Sequence, residues 1–191
     1  TPRRDSPSLL RRAGAWLFPA LTAIALAVWL VPECFSAKPF HSWDLHGHIA
    51  ITRRLAGMLP HGRMLFFDPW WFSGWSAFAF YPPLGHLLAA VCSYPLSLVS
   101  SDPSRLSCQL LLGLGLAGLP LSMFAAGRAL FFADDEKPSS SALSVLSISS
   151  SLLAVWFLLH PDYYYGLGSA AGTHLGLFSQ ILGWHGLLFF V

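Results

Sequence analysis

The sequence predicts an all-α fold, a polytopic bundle of transmembrane helices with an amphipathic juxtamembrane helix in its first outer loop. Three observations carry this. Of 191 residues, 54% are hydrophobic and only 10% charged, where a soluble domain carries about a quarter charged residues. Several apolar runs approach the ~20 residues that cross a ~30 Å hydrocarbon core. The polar and aromatic residues gather between those runs, above all in Phe40–Leu84.

The first run, Ala13–Val31, follows Arg3, Arg4, Arg11 and Arg12. Arginines flanking a first span predict a cytoplasmic N-terminus, so the run delivers the following loop to the outer face. The run is long and lacks a small-residue cleavage site, unlike a signal peptide. Further spans are expected at about 106–132, 142–159 and from 177 onward. The chain begins at Thr1 and stops inside the apolar run Leu187–Val191, and it reads as the front part of a longer protein.

The expected first outer loop covers residues 33–105. Ser42 is placed to cap a helix running to about Leu59, closed by Gly57, Pro60 and Gly62. Leu45, Ile49, Thr52, Ala56 and Leu59 share one stripe at spacings of three and four, a pattern suited to the membrane surface. Asp44 and His48 stand at the border of that stripe, where membrane meets water. Phe66–Tyr81 is rich in Trp, Phe and Tyr, as chain at headgroup depth is. Segment 84–100 is apolar but interrupted by His86, Ser93 and Pro95, and it dips into the bilayer or crosses it. If it dips, the second loop, 160–176, lies on the same outer face as Asp44; Arg128 and Lys137 near one turn favour that arrangement.

Each polar candidate has a plain reading beside its chemical one. Asp44 is either a first-turn carboxylate favoured by the helix dipole, or a general base or cation ligand. His46 and His48 complete an Asp-x-His-x-His string. Side chains two apart diverge on a helix, and a zinc site needs further ligands. Phosphate contact or interfacial polarity suits them better. Asp68 precedes Pro69 and starts a turn. Trp71 and Tyr81 anchor at the interface or stack on a substrate. In the second loop, Asp162 and His174 cap the loop or complete a site with Asp44. Arg53 and Arg54 offer charge to a phosphate. Cys34, Cys92 and Cys108 make an odd count without metal spacing, and the net charge of +2 gives no reason to expect a nucleic-acid partner.

One arrangement points further. A basic N-terminus and one span lead to an acid at the start of a juxtamembrane helix, Trp43-Asp44-Leu45-His46-Gly47-His48. Asp68-Pro69-Trp70-Trp71-Phe72-Ser73-Gly74-Trp75 follows, then Phe80-Tyr81-Pro82-Pro83-Leu84. This resembles the GT-C superfamily of integral membrane glycosyltransferases, and is most similar to the bacterial membrane-protein group labelled 6-pyruvoyl-tetrahydropterin synthase-related. The resemblance covers most of the chain in topology but only Asp44–Leu84 in motif. It implies sugar transfer from a polyprenyl-phosphate-linked donor at the outer face of a bacterial inner membrane, with Asp44 as catalytic base or metal ligand. His46, His48, Arg53, Arg54, Asp68, Trp71, Tyr81, Asp162 and His174 would then meet substrate. Members that use a metal supply an acidic pair from the second outer loop. Here Asp162 is followed by Tyr163 and Tyr164, so that pair is absent, and a magnesium or manganese ion, where one is used, would be held by Asp44 and Asp162. The alternative is a polytopic protein without catalysis, a lipid or solute transporter or an assembly subunit.

Overall fold

A computed structural model describes residues 9–36, 38, 45–64, 66–68, 75–77, 83–132, 138–160, 183 and 185–188. The described fold is all-α apart from one small hairpin. Helix α1 spans Leu9–Trp29, α2 Leu45–Met58, α3 Leu84–Leu96, α4 Pro103–Phe131 and α5 Ser140–Leu159. Between α2 and α3, β1 (Phe66–Asp68) pairs antiparallel with β2 (Trp75–Ala77), Phe67 opposite Ser76. Part of the aromatic run expected at headgroup depth is thus a two-stranded ribbon.

Local chemistry fixes the helix ends. Asp102 caps α4 by accepting from the Arg105 amide at 3.3 Å, with Pro103 at the first helical position, where its missing N–H costs nothing. Ser139 caps α5 through the Ala142 amide at 3.2 Å. The turn after α2 closes on Gly62 at φ 67°, a left-handed conformation that glycine adopts without strain. The expected cap at Ser42 lies outside the described residues.

Helix directions follow from who meets whom. Trp16 of α1 meets Phe124 of α4 edge-on, ring centroids 4.7 Å apart. Cys34 and Phe35, just past α1, press on Gly113 of α4. Rising numbers in one helix meet falling numbers in the other, so α1 and α4 are antiparallel. Gly14 and Ala15 line one cavity with Ser140 and Ser144, whereas Leu26 and Trp29 line a groove with Val155 and Leu159. Helices α1 and α5 are therefore parallel, and His160 leaves α5 at the end of the bundle where α1 terminates.

At ~1.5 Å per residue, α4 is ~43 Å long. Its first turns form the wall on which α2 and α3 pack, and Leu45, Ile49, Ala89, Cys108 and Leu112 share one core with Ala154 and Leu158 of α5. Helices α4 and α5 are long and apolar enough to cross a membrane; the apolar part of α1, Ala13–Trp29, is shorter. On α1 and α5, stripes such as Leu17, Leu21, Ile24 and Val28, or Val145, Ile148, Leu152 and Trp156, face outward. Of the run expected to span from residue 177, only 183 and 185–188 are described; there His185 Nε2 donates to the Gly115 carbonyl at 2.7 Å and Nδ1 accepts from Ser122 at 2.6 Å. A carbonyl only accepts, which fixes this tautomer.

Glycine sets how closely α1's exit approaches α4. A Cβ on Gly113 would stand 2.6 Å from Cys34 Cβ and 2.8 Å from the Phe35 ring. Gly113→Ala is expected to destabilise the bundle by about 1–3 kcal/mol through overpacking. Gly127→Ala meets only the mobile end of Leu146 and should cost less. Thermal unfolding of both variants in detergent checks the order.

Candidate functional site

The site region is the layer that α2 and α3 build against the start of α4. Leu45, His48, Ile49, Ile51, Thr52 and Leu55 form the buried face of α2. The stripe expected along a membrane surface therefore faces protein. His48 changes meaning with it. Expected at the water boundary, it is only 4% exposed and lies inside the layer, so it is not positioned to meet a lipid headgroup.

Four buried side chains from three helices form a hydrogen-bonded chain there. Cys108 Sγ donates to Thr52 Oγ1 at 3.4 Å. Thr52 Oγ1 lies 3.2 Å from His86 Nδ1, and His86 Nε2 lies 3.2 Å from His48 Nδ1. The two rings are tilted by 31° with centroids 5.0 Å apart. Each imidazole can donate from one ring nitrogen and accept at the other, so every link of the chain can be satisfied. The thiol donates to threonine, and the threonine–His86 and His86–His48 links run in the direction set by the histidine tautomers. Buried polar groups cost free energy unless bonded in this way, so the chain pins α2 to both neighbours.

A second set of contacts ties the layer's edge. Arg53 Nη2 reaches Asp102 Oδ1 at 2.9 Å, and Arg105 stands 3.9 Å from the same carboxylate. Arg105 also donates to Gln109 Oε1. Gln109, fully buried, donates to the Lys38 carbonyl at 3.1 Å. Tyr94 donates to the Ala56 carbonyl at 2.6 Å, joining α3 to α2.

The remaining expected residues divide in two. His46, Arg53 and Arg54 are exposed on α2, so the histidines of the Asp-x-His-x-His string lie on different faces, as their spacing requires. Asp44, Trp71, Tyr81, Asp162 and His174 lie outside the described residues, as does the side chain of Asp68, whose backbone belongs to β1. Among the described residues, no three His, Cys, Asp or Glu side chains come together as a metal site. Asp44 and Asp162, the residues expected to hold a magnesium or manganese ion, are outside the described residues. Burial, and then the charge of Glu33, push the Cys34 thiol up to about 12, which favours the protonated thiol at neutral pH.

His86, Thr52, Cys108 and Gln109 were not among the expected site residues. The available signal was at α3, where a single histidine stands among small residues, Gly85, Ala89, Ala90 and Ser93. A small-residue face lets a neighbouring helix approach closely.

No protein-family model, curated protein or solved structure matches the chain.

Proposed function

We propose that the chain belongs to a polytopic membrane glycosyltransferase of the GT-C kind, which moves a sugar from a polyprenyl-phosphate-linked donor to an acceptor at the outer face of a bacterial inner membrane. The observation that supports it best is the shared end of the bundle. Parallel α1 and α5 bring the α2–α3 layer and the chain leaving α5 at His160 to one end of α4. In this reading α3 does not cross, the N-terminus is cytoplasmic, and both loops face outward. Asp44, immediately before α2, accepts the proton of the acceptor hydroxyl. The hydroxyl oxygen bonds to the anomeric carbon with inversion, and the C–O bond to phosphate breaks, its electron pair leaving with the polyprenyl phosphate. Exposed Arg53 and Arg54 on α2 offset the charge that grows on that phosphate. His46, Asp68, Trp71, Tyr81, Asp162 and His174 bind around it, with a divalent cation at Asp44 and Asp162 if one is used.

A second reading has its own observation. The Ser122–His185–Gly115 hydrogen bonds join His185 to the middle of α4, and polar groups inside spans mark transport pathways. One experiment separates the two. The intact protein in proteoliposomes is given a panel of short-chain polyprenyl-phosphate sugars. Transferase activity predicts release of polyprenyl phosphate for at least one sugar. Relocation of the intact lipid between leaflets without cleavage would favour transport and overturn the transferase.

A further inference from the structure

Helix α3 is inverted with respect to an ordinary protein helix. The face turned to α2 and α4 carries Gly85, His86, Ala89, Ala90 and Ser93, all buried. The outward side of the segment carries Leu84, Leu88, Val91, Leu98 and Val99, the last two 86% and 78% exposed. Small and polar residues inside with large apolar ones outside is the distribution expected where the surroundings are hydrocarbon. No Asp, Glu, Lys or Arg occurs from residue 84 to 101. The 13-residue helix is ~20 Å long, short of the ~30 Å hydrocarbon core. Its first turn is held beside the start of α4 through His86, Thr52 and Cys108, and its last turn is tied to α2 by Tyr94, which donates to the Ala56 carbonyl. It can enter a bilayer without crossing it.

The helix that α3 packs on, α2, carries exposed basic residues. Arg54 and Arg63 are exposed along α2 and the turn after it, beside Arg53, which pairs with Asp102, and no acidic residue occurs from Leu45 to Phe67. A hydrophobic face beside a basic one binds interfaces by apolar burial plus attraction to anionic headgroups. From this pairing we infer that α3 beds sideways in one leaflet of an anionic lipid bilayer, its Leu88–Val91 side among acyl chains and the arginines of α2 at phosphate depth. The arginines favour anionic lipid, and the tilt of the whole α2–α3 layer is set by that contact. This docking does not depend on the chemistry proposed above, and its test reads no transfer.

The test places one nitroxide at a time on the intact protein in a Cys92→Ser background, at Val91→Cys, with Leu152→Cys on the outward stripe of α5 and His61→Cys on the exposed turn as references. Proteoliposomes are phosphatidylcholine with or without phosphatidylglycerol. At position 91, molecular oxygen should relax the label several-fold more than a water-soluble nickel chelate does, as at 152 and opposite to 61. Added phosphatidylglycerol should deepen the label at 91, and Arg54→Glu with Arg63→Glu should abolish that deepening. Preference for nickel at 91 would mean water, and protection from both reagents would mean a protein cover; either overturns lipid docking. Deepening that survives the charge reversals would overturn the role of the arginines.

Discussion

Replacing Asp44 by Asn in the intact protein is expected to lower sugar transfer by about 10²–10⁴-fold, the usual contribution of a positioned general base, while leaving insertion and folding unchanged. The substitution is informative because it divides the two readings of that carboxylate. Asparagine caps a helix as well as aspartate does. If Asp44 served only to start α2, Asn would replace it with almost no effect. As a base it cannot be replaced, since an amide does not take up the acceptor's proton at neutral pH. The measurement is the initial rate of polyprenyl-phosphate release for both proteins, alongside their unfolding temperatures. Equal rates would remove Asp44 from the mechanism.

The second large effect concerns stability. His86→Ala should destabilise the protein by about 3 kcal/mol, because a fully buried ring is lost and the hydrogen bonds to His48 and Thr52 go with it. Arg53→Ala breaks an ion pair whose side chains are 61% and 33% exposed, and should cost no more than about 1 kcal/mol. Equilibrium unfolding in mixed micelles ranks the two. A loss at His86 no greater than at Arg53 would mean that the buried chain does not hold the layer. His48→Ala combined with His86→Ala should fall short of additivity by about 0.5–3 kcal/mol, as side chains in one network do.

How legible this was depended on the physics of each segment. The long helices could be read because membrane-crossing length and apolarity are local properties. Runs expected at 106–132 and 142–159 correspond to α4, Pro103–Phe131, and α5, Ser140–Leu159. The α2 stripe was equally visible, but periodicity identifies an apolar face without saying what covers it. Leu45, Ile49 and Thr52 face α3 and α4, and His48 is carried inside with them. The link from His48 to His86 joins positions 38 residues apart, and no spacing rule anticipates it. Nor does anything in Gly113 alone announce Cys34 as its neighbour. Ion pairing at Asp102 was missed for a related reason, since the residue reads as a loop acid until α2 is folded against it.

The measurement bearing most directly on the proposed shared outer site is the sidedness of the two loops. His46→Cys and Asp162→Cys, each in a Cys92→Ser background, are treated in intact cells or sealed right-side-out vesicles with a membrane-impermeant maleimide. Both positions are expected to react from outside. Reaction of position 46 from outside and of position 162 only after the membrane is opened would set the loops on opposite faces, and a joint site would then be impossible.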